Sequence, residues 1–306
     1  MNKYLQSNPN PKYTRIGSLT LDMLSRSTIQ LLRFHFSFFL MPVYWFALSQ
    51  VVYKNVNHAI LIFFILHVLV YPASNGYNSY MDRDETSIGG LKNPLMPTRQ
   101  LFYITILMDC FAVLLSSFIS VYFLAGIIAY IAASRAYSYR GIRLKKYPIV
   151  GYLTVVIFQG AVTFFLVYHG SDMHKTLNVP IAPMLASSLL IGGFYPLTQI
   201  YQHDADLKDG VKTISFLLGY NGTFIFVMIV YGIAMATLAY YFISSLEIKE
   251  FFALATCMLP VLVYFFVWWV KVSKDRREAN FQNTMRMNLL ASVCTNIGFI
   301  VVLLMQ

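Results

Sequence analysis

Apolar residues form long blocks along this chain, and short polar segments separate the blocks. An α-helix needs about 20 consecutive, mostly apolar residues to cross the hydrocarbon core of a membrane. Nine blocks meet that requirement, at residues 28–52, 56–80, 101–118, 119–136, 148–169, 180–201, 222–244, 249–271 and 287–304. The pattern predicts an all-α, polytopic membrane protein built as a bundle of nine transmembrane helices.

The third and fourth blocks are the hardest to separate, because only residues 116–120 interrupt a continuous apolar run. A single long, tilted helix in this region would move every later loop to the opposite side of the membrane. With nine helices, all lysines and arginines fall on one side except Arg33, Lys54, Lys175 and Lys249. The positive-inside rule makes that side cytoplasmic, so the charge distribution favours two helices here.

The composition agrees with a membrane protein, since 58% of the 306 residues are hydrophobic and only 12% are charged. The formal charge of +10 comes mostly from lysines and arginines in the loops on one side of the membrane, so we expect no nucleic-acid partner. Residues 1–27 are polar, lack the apolar core of a signal peptide, and are expected to be a cytoplasmic segment before one transmembrane domain at 28–306. The expected location is a bacterial inner membrane, and no obligate protein partner is indicated.

The acids collect in two segments at the ends of apolar blocks. The first reads NGYNSYMDRDET, residues 75–86, and the second reads YQHDADLKDGVKT, residues 201–213. Four membrane crossings separate them, so both lie on the cytoplasmic side and can meet across a helical bundle. Acids beside membrane spans are costly, which makes them candidates for function. The alternative for each segment alone is a solvated loop that ends its helix.

Spacing suggests which acids face each other. On a helix, Asn78, Asp82 and Glu85 project from one face while Asp84 points elsewhere. Asp204 and Asp206 would add further carboxylates from the second segment. Several hard oxygen ligands, with positions left for water and phosphate, suit Mg2+ better than zinc or copper.

Cations lie in the loops on the same side. Arg143, Lys145 and Lys146 lie in YSYRGIRLKKYP, and Lys92 and Arg99 lie in LKNPLMPTRQ. Carboxylates that hold metal, surrounded by Lys and Arg, describe a site for a polyanion such as a diphosphate. Taken singly, these cations are also expected in any cytoplasmic loop that contacts anionic lipid.

These segments resemble the motifs of the UbiA-type membrane prenyltransferases. The first motif of that family runs N-D-x-x-D-x-x-x-D, and NSYMDRDET matches it at Asn78 and Asp82, whereas Ser79 and Thr86 replace acids. The second motif runs D-x-[DE]-x-D-x-x-x-G-x-x-[ST], and QHDADLKDGVKT keeps most of it, with Gln202 in place of the first acid. The matching positions there are Asp204, Asp206, Gly210 and Thr213. Further matches are Tyr137, Ser138, Arg143 and Lys145 between the motifs, Arg99 in the preceding loop, and Arg33 in the first helix.

The resemblance implies a nine-helix fold and a Mg2+-dependent transfer of an isoprenyl group. The donor would be an allylic prenyl diphosphate, and the acceptor would be a lipophilic, aromatic compound. The residues expected to be catalytic are Asp82, Asp206, Asp204 and Asn78. The expected metal ligands are Asn78, Asp82, Glu85, Asp204 and Asp206, with Glu85 replacing the acid absent at Thr86. The expected diphosphate-binding residues are Arg143, Lys145, Arg99, Lys92, Arg33 and Lys146.

Three other functions fit parts of the same pattern. Some members of the superfamily are terpene cyclases, which ionise the same substrates without an external acceptor. A secondary transporter would also have many helices and buried polar groups, although its binding residues should lie near the bilayer midplane. A non-catalytic protein of the same fold is the third. Asp109, inside the third block, is either an acceptor-orienting group or a packed helix contact.

Overall fold

The computed structural model describes residues 24–306, so most of the N-terminal segment expected at residues 1–27 lies outside the described residues. The regular elements in residues 24–306 are helices. They are α1 Arg26–Leu32, α2 Met41–Ser49, α3 Val56–Asp82, α4 Arg99–Ser116, α5 Val121–Ser138, α6 Pro148–Ser171, α7 Ile181–Gln199, α8 His203–Lys208, α9 Ile214–Ser244, α10 Ile248–Lys274 and α11 Phe281–Met305.

The predicted nine-helix arrangement is confirmed within the described range. Eight helices are long and apolar enough to cross a membrane, and a bent pair supplies the ninth crossing. In that pair, Arg26–Phe39 and Met41–Ser49 meet at an angle of 41°. Arg33 lies in the left-handed region at φ 48°, and Pro42 lies at the start of α2. A proline is favoured in the first turn of a helix, where its missing N–H costs nothing, so a new helical axis begins there.

The third and fourth blocks form two separate helices, as the charge distribution predicted. A short turn follows Ser116, and Ser120 then caps α5 by accepting a hydrogen bond from the N–H of Phe123 at 3.0 Å. Serine is a favoured N-cap because its hydroxyl satisfies an N–H that the helix leaves without a partner. The polar interruption therefore ends one helix and starts the next.

Aromatic side chains form the centre of the bundle. The fully buried rings of Phe46 and Phe299 stack with their centroids 4.5 Å apart, and Phe164 meets Phe46 edge-on at 5.3 Å. This core joins α2, α6 and α11. Large apolar side chains also cover the outside of the bundle, where Tyr240 is 70% exposed and Val263 is 64% exposed. An apolar exterior around a packed core is what a lipid-facing bundle requires.

Three helices depart from regular α geometry. A π-helical turn, Ile157–Val162, lies within α6, and another, Phe64–Val70, lies within α3. α9 begins at Ile214, earlier than the block at 222–244, and its backbone breaks at Gly219 with φ 67°. Glycine adopts this conformation without a steric penalty, so the first turn of α9 is set off from the straight membrane helix.

Candidate active site

The loops that follow α3, α5 and α7 meet at one end of the bundle around a cavity of about 240 Å³. Both acidic segments and the basic loop contribute to its wall. Its charged and amide lining residues are Arg33, Asn75, Asn78, Asp82, Asp84, Lys145, Gln159, Gln199, Gln202, Asp206 and Asp209. Residues far apart in the sequence therefore converge on one polar cavity at one end of the helical bundle.

The end of α3 sets which side chains of the first segment reach this cavity. Arg83 ends the helix in the left-handed conformation, with φ 55° and ψ 46°, and its N–H donates to the carbonyl of Ser79 at 3.0 Å. Arg140, from the loop after α5, donates to the carbonyl of Met81 at 2.7 Å and to that of Asp82 at 3.3 Å. A cation that pairs with the last carbonyls of a helix stabilises its C-terminus.

Ion pairs connect the two acidic segments through the basic loop. Asp82 pairs with Lys145, and Arg143 lies 3.7 Å from its other carboxylate oxygen. Arg143 also pairs with Asp209 of the second segment, and Arg140 lies 3.8 Å from that same carboxylate. The Asp82 side chain is only 4% exposed, and its Oδ1 has no hydrogen-bond partner among the described residues.

Backbone carbonyls hold a further cation beside the acids. Arg33 is 6% exposed and donates to the carbonyls of Gly89 at 3.0 Å and Asn75 at 3.3 Å. These bonds attach the end of α1 to the loop after α3. Gln202 joins the same loop to the second segment, because its Nε2 donates to the carbonyl of Ser87 at 3.2 Å. The residue that stands where the family motif has an acid thus acts as a hydrogen-bond donor between loops.

Polar side chains from neighbouring helices complete the wall. The Oδ1 of Asn78 accepts a hydrogen bond from the hydroxyl of Ser138 at 2.8 Å. The hydroxyls of Tyr137 and Tyr195 are hydrogen-bonded to each other. These contacts hold α3 against α5, and α5 against α7, at the level of the cavity.

The electrostatics of the cavity disfavour additional negative charge. Burial, helped by the neighbouring Asp84 and Asp82 and opposed by Lys145, raises the pKa of Asp206 to about 7. Burial, with Asp82 nearby, raises the pKa of Asp84 to about 6. Both carboxylates lie in the wall of one cavity, so a bound cation would relieve their repulsion.

Besides the largely buried Arg143, five of the residues expected from the sequence lie outside the cavity lining, all of them exposed. They are Glu85, Asp204, Lys92, Arg99 and Lys146. Glu85 was expected to share a face with Asp82, but α3 ends at Asp82 and helical spacing does not continue beyond Arg83. Asp204 and Asp206 are two positions apart on the short α8, and side chains with that spacing do not share a helix face.

The structure also places two acids in the wall that the spacing argument did not select. Asp84, expected to point elsewhere, lines the cavity, and so does Asp209. The position of Asp84 depends on the left-handed turn at Arg83, for which the sequence carries no clear signal. Asp209 precedes Gly210, whose φ of 72° suits a tight turn, so a turn could have been expected there but not its direction.

An apolar chamber of about 160 Å³ adjoins the polar cavity. The two share Phe36, Gln159, Tyr195 and Thr198 in their walls. The chamber lies between α2, α7 and α11, and most of its lining is aliphatic or aromatic, including Phe46, Phe194 and Phe299. A polar compartment thus adjoins a hydrocarbon-lined one.

The family model for the UbiA prenyltransferases matches residues 38–290, which is most of the chain. The chain belongs to the UbiA prenyltransferase family. This family member is therefore an integral, multi-pass membrane protein. No curated protein sequence matches it.

Solved structures of other UbiA homologues share its fold at low sequence identity. A homologue from Aeropyrum pernix K1 is 19% identical, with a TM-score of 0.67 over 88% of this chain and 98% of that one. A homologue from Archaeoglobus fulgidus, bound to GPP and Mg2+, is 20% identical, with a TM-score of 0.64 over 90% of this chain and 99% of that one. A digeranylgeranylglyceryl phosphate synthase is 17% identical, with a TM-score of 0.57 over 91% and 96% of the two chains.

The donor atoms of this UbiA family protein fit Mg2+ held together with a phosphate ligand. Within residues 24–306, no three Asp, Glu, His or Cys side chains lie close enough to hold a metal ion by themselves. Mg2+ usually keeps several waters and binds through one or two carboxylates plus substrate phosphates. The cavity offers carboxylate and amide oxygens, and the buried Oδ1 of Asp82 lacks a partner. The donors therefore suit a metal that enters with a diphosphate.

Proposed function

We propose that this protein transfers an isoprenyl group from an allylic prenyl diphosphate to a lipophilic, aromatic acceptor within the membrane. The observation that carries the proposal is the junction of a polar cavity, lined by carboxylates and cations, with an apolar chamber through four shared residues. A prenyl diphosphate has the same division into a charged head and a hydrocarbon tail. The A. fulgidus homologue bound to GPP and Mg2+ supports the assignment.

The polar cavity is proposed to bind the diphosphate. Lys145 and Arg33 lie in its wall, and Arg143 is held beside it by Asp82 and Asp209. Asn78, Asp82 and Asp206 are the proposed metal ligands, and the exposed Glu85 and Asp204 are left out of this set. When bound, Mg2+ neutralises the charge that develops on the leaving diphosphate. The cations are already positioned at that point, so little reorganisation accompanies bond breaking.

The apolar chamber is proposed to bind the prenyl chain and to protect its reactive carbon from water. Loss of diphosphate leaves an allylic cation, which water would quench. Phe36 and Tyr195 lie at the boundary between cavity and chamber, where the cation forms. Aromatic faces attract cations through the ring quadrupole, and the attraction grows where water is excluded.

Release of diphosphate by purified protein tests this function. The assay supplies geranyl, farnesyl or geranylgeranyl diphosphate with Mg2+ and a panel of phenolic and quinol acceptors, and mass spectrometry identifies the products. Release that requires an acceptor, with a prenylated product, supports the transferase. Release without any acceptor, with a cyclic hydrocarbon as product, would establish a terpene cyclase instead. No release from any substrate would contradict both enzymatic functions and leave a transporter or a non-catalytic protein.

A further inference from the structure

The backbone at the end of α3 decides which acid of the first segment faces the diphosphate cavity. Arg83 is left-handed, and the chain changes direction after it. Asp84 then lies in the cavity wall, whereas Glu85 and Thr86 are exposed and outside it. An acid at either of the last two positions would point into solvent.

Asp84 and Asp206 differ from Asp82 and Asp209 in their contacts. Asp82 and Asp209 are engaged by Lys145, Arg143 and Arg140. Among the described residues, neither Asp84 nor Asp206 has an ion-pair partner within 4.0 Å, although both line the cavity. One such carboxylate therefore comes from each acidic segment, and neither is already paired to a basic side chain.

A second feature of the same cavity, on Asp82, indicates a bound cation. The Asp82 side chain is 96% buried, and its Oδ1 accepts no hydrogen bond from the described part of the chain. A buried acceptor without a partner is costly, and a charged one especially so. A divalent cation bound with a phosphate ligand needs only one or two carboxylates, and within residues 24–306 Asp84 and Asp206 are unpaired carboxylates in the same wall as this Asp82 oxygen.

We propose that Asp84, rather than Glu85 or an acid at position 86, joins Asp82 as a metal ligand from the first segment, and that it acts together with Asp206. This assignment rests on the proposed function, because the ligand it serves is a metal-bound diphosphate. Because the left-handed turn at Arg83 ends the helix, Asp84 reaches the cavity wall and a later acid at helical spacing from Asp82 does not.

The test measures Mg2+ binding without turnover. Full-length protein in detergent is titrated with Mg2+ at a fixed concentration of inorganic diphosphate, and the rise in melting temperature gives the half-saturating Mg2+ concentration. Asp84→Asn, which keeps the size of the side chain, should raise that concentration at least about tenfold, the scale on which altered metal-site contacts act. Its melting temperature without ligand should stay close to that of the wild type.

Glu85→Gln is the matched control and should shift the half-saturating concentration less than about twofold, since its side chain is exposed. The double variant Glu85→Gln/Thr86→Ala provides a measurement that does not depend on the Asp84 variant and should also bind like the wild type. The proposal is wrong if Asp84→Asn binds within about twofold of the wild type, if the double variant loses binding tenfold, or if the wild type shows no Mg2+-dependent stabilisation. Binding with these properties but no diphosphate release from prenyl substrates would contradict the proposed function alone.

Discussion

The side chains of the candidate site divide into those that already have charged partners and those that do not. Lys145 and Arg143 neutralise Asp82, and Arg143 and Arg140 neutralise Asp209. Basic side chains that are held by acids keep a fixed orientation toward the cavity. A diphosphate that binds there must take over some of the contacts that these basic side chains make with the acids. A metal that enters with the diphosphate then neutralises the carboxylates that have lost their basic partners.

Removing a carboxylate from either segment should stop the chemistry. Asp82→Asn and Asp206→Asn are each expected to lower the rate of diphosphate release by about 100-fold or more, the scale of losing one stabiliser of a developing charge. Asp204→Asn is the control and should retain most activity, because Asp204 is exposed and outside the cavity. Steady-state release from farnesyl diphosphate provides the measurement. Equal losses in all three variants would contradict the assignment.

The raised pKa of Asp206, about 7 against an ordinary value of 3.8, makes the metal-free protein less stable at higher pH. Between these values the folded protein binds more protons than the unfolded chain, so the free energy of unfolding falls as pH rises from about 4 to about 7 and levels off above that. Melting curves in EDTA between pH 5 and pH 8 should show this decline. Asp206→Asn should make the decline shallower, mainly between pH 6 and pH 7, because Asp84 with its pKa of about 6 still contributes at lower pH. The exposed Asp204→Asn should keep the wild-type slope, and a wild-type slope in Asp206→Asn would contradict the argument.

At the scale of helices, Asp109 and Arg135 form an ion pair between α4 and α5. The Arg135 Nε donates to Asp109 at 2.9 Å, and the guanidinium lies 4.0 Å from the ring centroid of Tyr77 on α3. Asp109 does not line the polar cavity. Of the two roles open for Asp109 from the sequence, the packed helix contact therefore has the support of these contacts.

Breaking this ion pair should destabilise the bundle. Asp109→Leu leaves a largely buried guanidinium without its counter-ion, which costs about 3–5 kcal/mol where it has been measured. The double variant Asp109→Leu/Arg135→Leu should recover most of that loss, because no unpaired charge remains. Unfolding in mixed detergent micelles measures both. A double variant as unstable as the single one would show that shape rather than charge joins these helices.

The sequence predicted the helices better than the site because the two depend on different information. Membrane helices need only apolar length, and the distribution of Lys and Arg then separated α4 from α5 correctly. The location of Asp84 and Glu85 instead depends on where α3 stops, and that end is stabilised by Arg140 from a distant loop. Likewise, only the short length and the placement of α8 show that Asp206 enters the cavity while Asp204 does not. The spacing of residues within one segment carries no information about such long-range contacts.

For the whole molecule, the charge distribution predicts that the cavity opens to the cytoplasm. Met96 follows α3 on that side, and Met173 follows α6 on the other, and both are well exposed at 53% and 62%. In a Cys110→Ser background, a membrane-impermeant maleimide added to intact cells should label Met173→Cys but not Met96→Cys. Both should be labelled after lysis. Labelling of Met96→Cys alone in intact cells would show that the topology is the reverse of the predicted one.

The wall shared by Phe36, Gln159, Tyr195 and Thr198 has a consequence for how products leave. Under the proposed function, bond breaking at this boundary produces one water-soluble and one oil-soluble fragment. Each fragment already lies in the compartment that matches its solubility, so the diphosphate can leave through the loops while the prenylated lipid passes to the bilayer. The two products then need no common exit, and slow departure of one does not block the path of the other.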